Sequence, residues 1–319
     1  MKPRDWALAA LRRESMPYRP PTFELEMQLT DDLLGRRYLT MEDLQAASGA
    51  ERHRLLAERA ETYLLAAQKL DYCIVRVRFF PTLDDELETI AHLRRIGGED
   101  YLIAAEADNT FRIPDGDQLL RFVFDLQDRP DEVLEYASKW CDEGIERGKR
   151  LIDAGVEVIT MCADYCFNSG PFLSPPMWER FIGQFYYRQV RVLKEYGAYI
   201  IKHTDGNIMP ILDRLVNAGV DALHSIDPIA GVDIAEVKRR VGDRVCLIGN
   251  VDLAKLQHGT KDEIAESARY CLEHAAPGGG YILWVVQFHL QRRAPRQLSL
   301  YARHLAAVRP VAVGIGCRR

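Results

Sequence analysis

From residue 156 onward the chain alternates between short apolar runs and helix-like stretches, and few folds accept that rhythm. Residues 156–162, 199–203, 221–226, 244–248 and the run entered through Gly278-Gly279-Gly280 are nearly all apolar. Helix signals lie between them. Ser174-Pro175-Pro176 opens one helix and Gly197 closes it, Gly219 and the stretch 233–240 mark two more, and Thr260-x-x-Glu263 is a capping box. Strands of this kind, joined by helices, belong to a parallel sheet covered on both faces. The first half carries the same signals more sparsely. A strand over 73–80 ends at Pro81, a helix over roughly 83–95 is closed by Gly97-Gly98, and 101–106 with 110–113 read as two short strands. Pro130 starts a long helix that runs to about Ala154. Residues 1–70 read as helical and irregular. A doubly wound open sheet and a closed barrel both fit the alternation. No G-x-G-x-x-G or phosphate loop follows a strand, which weakens the nucleotide-binding open sheet. The expectation is an α/β fold: a TIM (β/α)8 barrel over 71–319, preceded by helical N-terminal segments over 1–70. Gly278-Gly279-Gly280, placed before a strand, is then a turn on the N-terminal face.

The polar residues cluster where the apolar runs end. Asp164 follows one strand, His203 and Asp205 end the next, Asp227 follows a third, and Asn250 with Asp252 follows a fourth. His203 and Asp205 are two apart on a strand, so they point the same way, and Gly206 lets the chain turn directly after them. In a TIM barrel all these positions meet at the C-terminal mouth, where active sites are built. Each residue alone reads equally as a cap or turn residue. Four successive strands ending in this way favour a ring of carboxylates with one imidazole. Such a ring holds a divalent metal or moves protons on and off a substrate.

Composition excludes several classes of function. Seven of the 42 basic residues and none of the 47 acidic ones fall in 284–319, so the preceding 283 residues carry a net charge of −12. An acidic body does not suit nucleic-acid binding. No stretch approaches 18 uninterrupted apolar residues, so no membrane span is expected. The charged N-terminus lacks the apolar region of a signal peptide. Cys162 and Cys166 are four apart, but no second pair completes a structural zinc site. Scattered cysteines in apolar runs fit a reducing cytoplasm.

Taken together, Lys202-His203-Thr204-Asp205-Gly206-Asn207, Gly219-Val-Asp221, Gly249-Asn250-Val-Asp252 and Ala276-Pro-Gly-Gly-Gly-Tyr-Ile-Leu283 resemble the uroporphyrinogen decarboxylase superfamily. Leu11-Arg-Arg-Glu14, and Asp164 followed by Gly170-Pro-Phe-Leu-Ser174-Pro175, extend that resemblance over about 1–283. The superfamily's members are TIM barrels. They include the heme-pathway decarboxylase and methyltransferases that draw on methylated corrinoid proteins. The decarboxylase branch carries an arginine-rich motif near its start that holds substrate carboxylates. Here that region reads Phe23-Glu-Leu-Glu-Met-Gln-Leu-Thr30, acidic where a polycarboxylate would need basic groups. Arg36, Arg37 and Arg112 are the candidate substitutes. In the methyltransferase branch an H-x-C pair and a distant cysteine bind zinc, which holds a thiol acceptor as thiolate. Here Asp205 stands where that branch has its first cysteine, and Cys317 is the one candidate for the distant ligand.

The resemblance therefore implies methyl transfer between a methylcorrinoid protein and a small acceptor such as a thiol or a folate. His203 and Asp205 are expected as metal ligands or acid/base groups, with Asp164 as a further ligand or proton acceptor. Asn207, Asp227, Asn250 and Asp252 are expected to line the cofactor and substrate pocket. Decarboxylation of uroporphyrinogen or another carboxylate is the alternative, and a non-catalytic corrinoid- or tetrapyrrole-binding barrel a second. The resemblance also allows a homodimer. At Trp284 the chain leaves the family pattern and becomes arginine-rich and free of acids. A shifted reading frame or a divergent terminus would both produce that change. Reading the coding DNA in the neighbouring frame beyond codon 283 distinguishes them.

Overall fold

The computed structural model describes residues 2–15, 19–25, 34–97 and 99–285. Residues 286–319 lie outside it, and with them Cys317 and most of the arginine-rich segment.

The main sheet has seven strands, all parallel, in the spatial order β1-β2-β3-β6-β7-β8-β9. They are β1 (Ile74–Arg76), β2 (Leu102–Glu106), β3 (Val158–Met161), β6 (Tyr199–Thr204), β7 (Ala222–Ser225), β8 (Cys246–Val251) and β9 (Tyr281–Val285). A small antiparallel pair, β4 (Cys166–Phe167) and β5 (Gly170–Pro171), lies between β3 and β6 in sequence. Helices follow the strands as the sequence signals require: Leu83–Gly97, Pro130–Asp153, Gln184–Glu195, Leu212–Asn217, Ile234–Val241 and Lys261–Ala275 among them. The Thr260 capping box forms as expected, with Thr260 Oγ1 accepting from Glu263 N. Residues 110–113, expected as a strand, form none. Their backbone bonds instead to the loop after β3, where Ile113 N donates to Asp164 O at 2.9 Å.

The two edges of this curled sheet meet through an N-terminal segment. Thr22 forms parallel bridges to both Tyr72, beside β1, and Leu283, in β9. Cys73 N donates to Thr22 O, and Leu283 N to Pro21 O, each at 2.9 Å. One extended stretch thus stands in the place of an eighth strand, and the result is a TIM-barrel-like α/β fold. Part of the region read as purely helical and irregular is stitched into the barrel seam.

Strand parity sorts the side chains. Ile200, Leu223, Leu247 and Tyr281 face the helices and join the large outer core. Ile74, Leu102, Val158, Ile201, Ala222, Cys246, Ile248 and Ile282 face the interior and pack with Ala7, Ala10 and Leu11 of the helix Pro3–Leu11. That helix seals the N-terminal end of the barrel. Arg4 N donates to Asp100 O just before β2, and Arg12 Nε to Tyr199 Oη at the start of β6. Gly279 belongs to this face, as expected. A Cβ there would lie 2.2 Å from Glu14 O, so only glycine admits the approach. Buried apolar area at this end, at about 25 cal/mol per Å², favours the closed state. It leaves the opposite end for polar groups.

Trp284 is 2% exposed and completes the interior face of β9.

Candidate active site

Above the apolar floor, the next inward positions on the strands are polar. Arg76 ends β1 with its side chain buried. It donates to Leu25 O at 2.9 Å, Thr160 Oγ1 at 3.1 Å and Glu106 Oε2 at 2.6 Å. His203 and His224 are register partners on β6 and β7, and both face the interior. Their Nδ1 atoms lie 2.8 Å apart. The sequence pattern offered a single imidazole at this mouth, and the structure supplies two. His224 was masked by its setting in 221–226, where it reads as one polar residue in an apolar run. Its inward parity opposite His203 was the available signal.

The carboxylates complete the cluster. His203 Nε2 lies 3.8 Å from Asp164 Oδ1 and 3.8 Å from Asp205 Oδ2. One ligand atom from each of the three residues falls within 4.8 Å of the others. His203 is 1% exposed, and its Nε2 has no hydrogen-bond partner. Both carboxylates are pinned. Asp164 Oδ1 accepts from Asp205 N at 2.9 Å, and Asp205 Oδ1 accepts from Ser225 Oγ at 2.5 Å. Burial, with the neighbouring Asp164 and Asp227 adding to it, raises the Asp205 carboxyl pKa. His203 and the Ser225 hydroxyl act in the opposite sense.

Backbone geometry explains why these residues meet. Gly206 has φ +82°, and a Cβ on it would lie 2.4 Å from Cys166 O. Glycine therefore lets the chain turn under β4 immediately after Asp205. Ser225 and Ile226 hold φ of +87° and +55°, conformations that cost L-residues of order 1–3 kcal/mol each. The bend they make presents the Ser225 hydroxyl to Asp205.

His224 is fully buried against Trp284, with ring centroids 4.3 Å apart, and against the edge of Phe23. Burial first, then His203 and Arg76, drives its pKa well below 6.5, so it is neutral. A single proton between the two Nδ1 atoms sets the role of His203. If His203 donates, its Nε2 carries a lone pair aimed at the carboxylates. If His224 donates, Nε2 of His203 carries a proton.

The remaining expected residues sit differently. Asn207 Oδ1 accepts from Met209 N, and Asp227 from Ile229 N, each closing a short turn. Asp252 caps the helix Leu253–His258 through Ala254 N and Lys255 N. Asn250 faces the helix layer, where it donates to Ile226 O and accepts from Cys271 Sγ. Asn250 and Asp252 line a cavity of about 400 Å³ with Asp233, Lys255 and Tyr270. The structure thus joins Asp164, His203 and Asp205, sets Asp227 close enough to act on Asp205, and places Asn250 and Asp252 in the neighbouring cavity. Arg36, Arg37 and Arg112 are each engaged with a surface carboxylate, at Glu61, Asp43 and Asp115 respectively.

The family model described as "Uroporphyrinogen decarboxylase (URO-D)" matches residues 115–285, more than half of the chain. The chain belongs to the uroporphyrinogen decarboxylase (URO-D) family. It is similar to the uroporphyrinogen decarboxylase of Pseudoalteromonas translucida, 28% identical over 164 residues, or 48% of this chain and 42% of that protein. A shorter match, to the enzyme of that name from Thioalkalivibrio sulfidiphilus, is 39% identical over 71 residues, 22% of this chain and 19% of that protein. These matches span less than half the length of the curated relatives. Among solved structures, a methyltransferase from Methanosarcina mazei superposes with a TM-score of 0.73 at 16% identity, covering 96% of this chain and 99% of that one. At that identity the likeness is one of fold. No helix among the described residues is long and apolar enough to cross a membrane.

Proposed function

We propose that this URO-D family member binds a divalent metal, zinc first, at Asp164, His203 and Asp205, and uses it in methyl transfer to a small acceptor. The observation that carries the metal is the buried, unpartnered Nε2 of His203 facing two carboxylate oxygens at 3.8 Å. That separation is too long for a hydrogen bond. It exceeds by about half an ångström the roughly 3.3 Å between two ligand atoms on one tetrahedral ion with bonds of about 2 Å, so the three groups would draw in slightly around an ion. One imidazole and two carboxylates form a harder set than thiolates, and they suit zinc with an open position.

When bound, the ion would act as a Lewis acid that holds a thiol acceptor as thiolate. The chain's own groups do the remaining work. His224 accepts the Nδ1 proton of His203 and keeps the Nε2 lone pair turned to the carboxylates. Ser225 and the Asp205 amide fix the two carboxylates in orientation. With Asp164 and Asp205 both engaged as ligands, the acceptor's proton would leave to solvent at the mouth as the thiolate forms. The donor in this reading is a methylcorrinoid carried by a partner protein. The support for the reaction is the acidic replacement of the arginine-rich motif together with the superposition on a methyltransferase fold.

Decarboxylation of a tetrapyrrole or another carboxylate is the second reading, and the family match with its named relatives favours it. In that case Asp205 and His203 act as a proton-handling pair. The surface engagement of Arg36, Arg37 and Arg112 counts against a clamp for many carboxylates. Two assays on the purified chain separate the readings: metal content with thiol methylation from a methylcorrinoid donor, and carbon dioxide release from uroporphyrinogen. Carbon dioxide release without bound metal would overturn the first reading.

A further inference from the structure

Behind the strands that carry the cluster lies a buried ion pair that none of the proposed chemistry uses. Lys202 and Asp108 have side chains 0% and 1% exposed, and Lys202 Nζ lies 3.0 Å from Asp108 Oδ2. A buried pair of this kind is poor at adding stability, because desolvation offsets most of the attraction. Its connections suggest another use. Asp108 accepts from Ala163 N at 2.7 Å, and Lys202 donates to Ala163 O at 2.9 Å. The pair therefore holds both backbone polar groups of the residue before Asp164. Lys202 is itself the residue before His203. Asp108 also accepts from Thr110 Oγ1, which meets Tyr165 Oη at 2.6 Å, and Tyr165 N donates to Thr204 Oγ1 at 2.9 Å. Lys202 Nζ sits 4.0 Å from the ring centroid of Tyr165. Asp164 is thus clamped through both of its chain neighbours, and His203 leaves the same clamp on the opposite face of β6.

We propose that Lys202 and Asp108 are positioning residues that set the spacing of Asp164 and His203 across β3 and β6, and hence the ligand geometry of the metal site. The consequence for ligand geometry rests on the metal reading above; the positioning of Asp164 and His203 stands on the hydrogen bonds alone. Its logic is that of groups behind a ligand shell, whose loss costs about 10–100-fold in metal affinity.

The test is the double variant Lys202→Met/Asp108→Asn, which removes both charges together and leaves no buried ion unpaired. Cobalt(II) is titrated alone into the full chain, and its visible absorption bands report ligand geometry. The expected result is a folded variant that binds cobalt at least about 10-fold more weakly, with shifted or weakened bands. A folded variant with parental affinity and spectrum overturns the proposal. Asp108→Asn alone, which keeps Lys202 in contact with Ala163 O, gives the same readouts if the double variant does not fold. A parent that binds no cobalt defeats the metal reading and not this one. The pair is then read from the imidazole N–H resonance shared by His203 and His224. A change in that resonance in the variant supports positioning, and an unchanged resonance overturns it.

Discussion

His203 and His224 sit on neighbouring strands with their Nδ1 atoms 2.8 Å apart, so two buried rings compete for one proton. Trp284 and Phe23 enclose His224, and its own Nε2 has no hydrogen-bond partner. In this setting His224 contributes little except a fixed acceptor for the proton of its neighbour. Replacing it with Phe keeps the volume and removes the acceptor. His224→Phe is expected to weaken zinc binding by about 10–100-fold while the fold survives. Competition against a chromophoric chelator measures the affinity, and an unchanged value would remove His224 from the account.

Stability should fall on the acid side of neutrality. His224 has a folded pKa well below the ordinary 6.5, so below that value the unfolded chain takes up a proton that the folded chain refuses. The contribution is present above about pH 6.5 and is lost as pH falls, by up to about 1.4 kcal/mol per pH unit. Urea unfolding of the metal-free chain between pH 8 and pH 5 is expected to show this slope, and His224→Phe to flatten it.

Asp205 has the opposite sign. Its folded pKa is raised, chiefly by burial, so the folded state binds the proton more tightly than the unfolded state does. At neutral pH the ionised carboxylate is a liability, which protonation relieves as pH falls through the folded value. Asp205→Asn should therefore raise the melting temperature of the metal-free chain near pH 7 and abolish its zinc binding. A metal-free variant less stable than the parent would contradict this assignment of the burial penalty.

Gly206 tests the route by which the chain delivers Asp205. Gly206→Ala places a Cβ 2.4 Å from Cys166 O at a φ of +82°. The backbone must shift, at a cost of about 1–3 kcal/mol or more. Both a lowered unfolding midpoint and a loss of metal affinity are expected, because Asp205 and Asp164 are joined through the adjacent amide. Chemical denaturation and the same chelator competition measure the two effects.

The parallel sheet was legible because strands buried on both faces are written as apolar runs, and glycines and capping residues punctuate them. Asp164, His203 and Asp205 were legible because polar residues at strand ends stand out against those runs. The closure at Thr22 was not, since one residue that bridges both edges from a proline-rich segment carries no periodicity. His224 was hidden because burial of one imidazole by its neighbours looks, in sequence, like any polar interruption of a strand. Asp252 and Asp227 show the converse. A carboxylate after a strand also caps the next turn, and both do so here. Spacing along the chain does not separate that use from metal ligation.

The central claim is that Asp164, His203 and Asp205 form one metal site, and zinc content tests it most directly. The full chain is purified without chelators, exchanged into metal-free buffer, and measured by elemental analysis beside His203→Ala. The account predicts about one zinc per parent chain, as for a single site of this donor set, and background levels in the variant. A folded parent that neither carries zinc nor takes it up on addition, or a variant that retains it, would contradict the account.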